Sequence, residues 1–168
     1  IGNTTSSSAV LAVLLNLDPA DVTGRGAGLS TEGLGRKIDA IRRGIAVNRP
    51  DPADPMDVLS KVGGLDIAGL TGVFLGGALC RVPVLIDGLI SSVAALCARR
   101  LCPAAGDYML ATHASAEPAG QTVLQELPIC AWARTPAQRP SCPSSTWPWP
   151  STGTCPPSSR WTLTPMST

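Results

Sequence analysis

The sequence predicts an α/β protein over residues 1–127, a Rossmann-like parallel sheet with flanking helices. Three observations predict it. Apolar runs at Val82–Ile86 and Asp107–Thr112 are short, end at turn residues and are separated by a helical stretch. Strands that alternate with helices pair in parallel. A hydroxyl-rich run, Thr4 to Ser8, leads into the apolar stretch Ala9–Leu17, the pattern of a loop entering a helix. Finally, 17 glycines and 16 prolines among 168 residues, with only 15% charged, describe a turn-rich chain of small apolar residues, long enough to bury a core.

Each element has its own signal. Ala9–Leu17 reads as a helix stopped by Asp18-Pro19. The loop Gly24-Arg25-Gly26-Ala27-Gly28 follows, and Ser30 or Thr31 caps a helix with Glu32 in its first turn. Leu34, Ile38, Ile41 and Ile45 recur at helical spacing, with Arg36, Lys37, Arg42 and Arg43 mainly on other faces. Asn48–Pro55 is a surface linker of prolines and aspartates. Met56–Val62 restarts a short helix that Gly63-Gly64 ends, and Asp66 is expected to cap the next, Ile67–Leu79. The strand Val82–Ile86 leads through Asp87-Gly88 into a helix, Ile90–Leu101, and then to the strand at 107–112. In such sheets ligands bind beyond the C-terminal ends of the strands, which singles out Asp87, Gly88 and the segment His113–Glu117.

Composition excludes several classes. A net charge of +1 leaves no basic footprint for nucleic acid. No apolar run reaches the roughly 20 residues of a membrane span; the best, Leu65–Leu79, contains Asp66 and four glycines. The start is polar, without the basic n-region of a signal peptide, so the expected compartment is the cytoplasm. The six cysteines form no C-x-x-C pair and the single His113 has no ligand partner at metal spacing. Free thiols are expected, with no metal and no cofactor.

Opening at Ile1-Gly2-Asn3-Thr4-Thr5 without a methionine or a preceding strand, the chain reads as a fragment. Residues 128–168 form a second region, rich in Pro, Ser, Thr and Trp and without Asp or Glu. It reads as a disordered or non-native tail. The genetic code sharpens this. Joining the last base of one codon to the first two of the next turns Trp132-Ala133 into glycine, Trp147-Pro148 into alanine and Trp161-Thr162 into aspartate. The shifted frame permits Leu-Gly-Glu-x-Thr-Gly-Ala from Ala131 onward, with the Glu falling on Ala133 and Arg134. The tail is therefore expected to be frameshifted.

In order along the chain, Ile1-Gly2-Asn3-Thr4-Thr5, Gly24-Arg25-Gly26-Ala27-Gly28, Lys61-Val62-Gly63-Gly64-Leu65-Asp66-Ile67-Ala68-Gly69, Val84-Leu85-Ile86-Asp87-Gly88 and His113-Ala114-Ser115-Ala116-Glu117-Pro118 resemble one family. It is the nicotinate-nucleotide–dimethylbenzimidazole phosphoribosyltransferases of cobalamin lower-ligand synthesis. The resemblance covers residues 1–127, the C-terminal half of the family's α/β domain. It implies phosphoribose transfer from nicotinate mononucleotide to 5,6-dimethylbenzimidazole, giving α-ribazole 5′-phosphate with inversion at the anomeric carbon. It implies a homodimeric parent enzyme without cofactor, and no membrane or nucleic-acid partner.

By the same resemblance, Gly2, Asn3, Thr4 and Thr5 line the nucleotide site. Gly26, Ala27 and Gly28 approach the phosphate with Lys37 nearby, and Ser115, Ala116 and Glu117 complete the phosphate and ribose surroundings. Ala27 departs from the family, where threonine is common. Two family glutamates are missing, one just upstream of Ile1 and the presumed base now lost at Ala133 and Arg134. The chain as given is accordingly expected to be inactive. The alternative is a noncatalytic nucleotide- or phosphate-binding remnant, or an interaction module of the same fold.

Overall fold

A computed structural model describes residues 3–113, 115 and 117–127, all within one unit, Ile1–Gln138. Helix α1 (Thr4–Leu15) is the centre of its core. Ser7 to Leu14 are buried without a break, as expected of a helix with no polar face. It packs against α2 (Pro19–Val22), α3 (Thr31–Asn48), α4 (Pro55–Val62) and α6 (Gly88–Leu101). Helix α1 starts earlier than the apolar run, because Asn3 caps it: the Asn3 side chain accepts from the Ser6 N–H at 3.2 Å. Asn16, in the left-handed region at φ 52°, ends it before Asp18.

Of the caps expected from the sequence, Ser30 forms and Asp66 does not. Asp18 accepts from Ala20 N–H at 2.7 Å and starts α2, a turn the sequence reading passed over. Ser30 accepts from Gly33 N–H at 3.1 Å and starts α3. Asp54 caps α4. Asp66 does not cap α5 (Leu65–Cys80). That helix begins at Gly64 without a side-chain cap, and Asp66 lies inside its first turn.

The sheet in the described residues has two strands, β1 (Val84–Ile86) and β2 (Met109–Ala111). They run parallel, with Val84 opposite Met109 and Ile86 opposite Ala111, so the alternating pattern is borne out in a helix-rich α/β architecture. Both strands are shorter than their apolar runs. A 3-10 turn, Pro103–Tyr108, takes the start of the second run. A last helix, α7 (Pro118–Glu126), goes beyond the sequence reading. The core joins α1 to α5, α6 and α7 through Leu11, Ile67, Val93, Leu96 and Val123.

Helix α5 is apolar on every side. Ile67 and Phe74 are buried, while Leu65, Val73 and Leu79 face water. At its C-terminal end Gly77 makes a close approach to β1: a Cβ there would overlap the Val84 side chain and lie 2.9 Å from the Val82 carbonyl oxygen. Among the described residues Cys80, Cys97 and Cys102 are free thiols, and burial pushes the Cys97 thiol up to about 12. No described helix is long and apolar enough to cross a membrane, and no metal-ligating cluster occurs among the described residues.

Gly77→Ala is expected to destabilise the chain by about 1–3 kcal/mol through overpacking. Gly72→Ala on the same helix, where nothing lies within 4 Å of the added methyl, is expected to be neutral or to stabilise by about 0.5–1 kcal/mol. Urea unfolding of both variants, followed by circular dichroism, checks the contrast.

Candidate functional site

The site is assembled from segments far apart in sequence. Helix α1 presents its N-terminus and the positive end of the helix dipole at Asn3 and Thr4. Helix α3 reaches it through Lys37, which is only 8% exposed. The Lys37 ammonium donates to Thr4 Oγ1 at 2.9 Å and to the Gly24 carbonyl at 3.0 Å. An ammonium has three N–H donors, so one has no partner among the described residues.

The glycine loop closes over this ammonium. Gly26 adopts φ 54°, and a Cβ there would stand 3.0 Å from Thr4 Oγ1 and 3.7 Å from Lys37 Nζ. Arg25 braces the loop by donating to the Leu29 carbonyl at 2.8 Å and to Thr31 Oγ1 at 3.2 Å. Gly24 is small for a reason: the Glu117 carboxylate lies where a Cβ would project, and Pro118 Cδ would be 2.9 Å away. Beside Gly24, Thr23 buries a hydroxyl that has no partner among the described residues, a loss of about 1–3 kcal/mol unless something fills it. On α1's other flank, Asn3 Nδ2 donates to Asp66 Oδ1 at 3.4 Å. A cation with a spare N–H, a helix N-terminus and a glycine loop together suit a bound phosphate.

A family model described as a phosphoribosyltransferase matches residues 1–133. The chain belongs to this family. A relative from Acetivibrio thermocellus, named nicotinate-nucleotide–dimethylbenzimidazole phosphoribosyltransferase, is 54% identical over 127 residues. That match covers 76% of this chain and 36% of the relative. A relative of the same name from Desulforudis audaxviator matches to the same extent. The crystal structure of CobT from Thermus thermophilus superposes with a TM-score of 0.73 at 37% identity, covering 79% of this chain and 39% of that one. The chain thus spans about a third of the length of the curated relatives it matches.

Within this chain the predicted residues fall into two groups. Thr4, Gly26 and Lys37 meet, Glu117 joins them through Gly24, and Asn3 adjoins Thr4 on the side of Asp66. Ser115 supports Glu117 by accepting from its N–H at 3.3 Å. Thr5, Ala27 and Gly28 are exposed nearby in sequence. Asp87 and Gly88 belong to a second group at the strand ends, where His113 Nδ1 is 3.6 Å from Asp87 Oδ1. Gly2, Ala116, Ala133, Arg134 and the whole of 128–168 lie outside the described residues.

Sequence reasoning missed Gly24, whose carbonyl and missing side chain both serve the site, and Thr23. Lys37 was placed mainly off the apolar face. Its burial corrects that: the α3 stripe turns toward the glycine loop there, and the ammonium follows it inward.

Burial pushes the Lys37 ammonium below its ordinary value of 10.5, and the Glu117 carboxylate opposes this more weakly. The folded chain therefore holds this proton less firmly than the unfolded chain. Stability gained through Lys37 rises with pH between the lowered value and 10.5, then levels off. The stability difference between wild type and Lys37→Met is expected to move in the wild type's favour across that window. Urea midpoints measured at intervals from pH 7 to 11 check it, and a flat difference counts against the burial argument.

Proposed function

We propose that residues 3–127 supply the nucleotide-holding part of an enzyme that moves phosphoribose from nicotinate mononucleotide to 5,6-dimethylbenzimidazole. The carrying observation is the buried Lys37 ammonium, with one N–H free, at the N-terminus of α1. The phosphate occupies this position, touching Lys37, Thr4 and the amides of Gly26, Ala27 and Gly28. Asn3 and Thr5 line its nucleotide side, and Ser115 and Glu117 lie toward the ribose. The names of the relatives support the substrate pair.

The chemistry fits this division of labour. The azole nitrogen attacks the anomeric carbon, the bond to nicotinate breaks, and the azole gives up its N–H proton to a base. A phosphate held away from the reacting carbon contributes binding energy that orients the sugar for attack. The base, by family resemblance, is the glutamate of Leu-Gly-Glu-x-Thr-Gly, the position read here as Ala133 and Arg134 in the shifted frame. The parent enzyme is read as a cytoplasmic homodimer.

Purified residues 1–168 are expected to bind nicotinate mononucleotide but to form no α-ribazole phosphate with 5,6-dimethylbenzimidazole. Lys37→Met is expected to weaken nucleotide binding about 10- to 100-fold, the worth of a hydrogen bond to a charged group. Calorimetry or NMR titration measures the first, and chromatography of the reaction mixture the second. Unchanged affinity in Lys37→Met removes the ammonium from the phosphate site.

A further inference from the structure

Beyond the phosphate position, Asp87, Thr112 and His113 meet across the C-terminal ends of β1 and β2. Their hydrogen bonds locate a proton. The Thr112 hydroxyl oxygen is 3.0 Å from the Ile86 carbonyl oxygen and 2.9 Å from His113 Nδ1. A hydroxyl has one proton to give and two lone pairs, and a carbonyl only accepts. Only with the Thr112 proton on the Ile86 side are both contacts hydrogen bonds, Nδ1–H then donating to Thr112 Oγ1; a proton aimed at Nδ1 would leave two oxygens 3.0 Å apart with none between them. Asp87 Oδ1, 3.6 Å from the same nitrogen, also favours a hydrogen there. A neutral imidazole carries one N–H, so the bare lone pair falls on Nε2. The His113 side chain is 49% exposed, which leaves the ring open to a ligand.

We infer that His113 is a ligand-binding residue whose Nε2 accepts a hydrogen bond from a sugar hydroxyl of the phosphorylated ligand. The inference rests on the nucleotide reading above. His113, Ser115 and Glu117 belong to one segment after β2, and Glu117 lies against Gly24, whose carbonyl holds Lys37. A ligand whose phosphate sits on Lys37 carries hydroxyl donors on the adjoining sugar. Glu117 and Nε2 are acceptors on this one segment, which Glu117 anchors at Gly24, and the strand ends are where parallel sheets place ligands.

The chain's single histidine makes the test clean. Two-bond 1H–15N spectra of histidine-labelled residues 1–168, recorded with the ring neutral, are expected to show the Nδ1–H tautomer. Thr112→Val is expected to shift the population toward Nε2–H. An Nε2–H tautomer in the wild type overturns the inference whatever the binding results.

His113→Asn keeps a donor near the place of Nδ1 and removes Nε2. It is expected to weaken nicotinate mononucleotide about 5- to 10-fold, one ordinary hydrogen bond, and to leave inorganic phosphate unchanged. Equal weakening of both ligands, or of neither, overturns the inference while the phosphate reading stands. A wild type that binds neither ligand overturns both.

Discussion

Placing one ammonium in the interior organises the site. A lysine that is 8% exposed has to replace its lost water with protein acceptors, and Lys37 finds them in Thr4 and Gly24. These two bonds tie α3 to the start of α1 and to the loop between α2 and α3. Gly24 can turn its carbonyl inward and still let Glu117 lie over it only because it has no side chain. The carboxylate partly balances the cation, and among the described residues the ammonium's third N–H has no acceptor.

The parts that need accuracy are each fixed to something buried. Thr4 opens a helix whose residues 7–14 are all buried. Lys37 shares its helix face with Ile41, and Glu117 immediately precedes α7, whose Ala119, Val123 and Leu124 enter the core. Exposed loop residues such as Ala27 and Gly28 then have only to bend over a frame that is already set. A phosphate-binding position made this way is preorganised by packing.

Much of the fold could be read from local chemistry. Ser30, Asp18 and Asp54 carry short polar side chains next to good helix formers, and the ends they mark involve only neighbouring residues. Beyond local range the signals weaken. Asp66 has the residue type of a cap but lies inside the first turn, where its carboxylate accepts from Ile67 N–H next door and from Asn3, a partner 63 residues away along the chain. Lys37 looked solvated because helical periodicity weighs side chains by polarity and knows nothing of a carbonyl arriving from another loop. The strands were overestimated because apolar runs do not show where a 3-10 turn begins. In the candidate site the glycine loop and Glu117 were legible; the contact between Glu117 and Gly24, which joins α7 to the loop, depended on tertiary approach.

Helix α5 has a consequence for how the chain settles into its fold. Most helices find their rotation about their own axis from the contrast between an oily and a wet side. Leu65–Cys80 offers almost no such contrast, and turning it by a third of a revolution would exchange one apolar set for another. Its orientation must be set by shape: Gly77 admits Val84 where another residue would collide, and the buried Thr71 hydroxyl faces the Ala94 carbonyl of α6 at 3.4 Å. A helix keyed by one notch and one hydroxyl has misrotated states nearly as oily as the native one. Replacing either key is then a question of uniqueness, with several rotational isomers competing, before it is a question of how strongly the helix adheres.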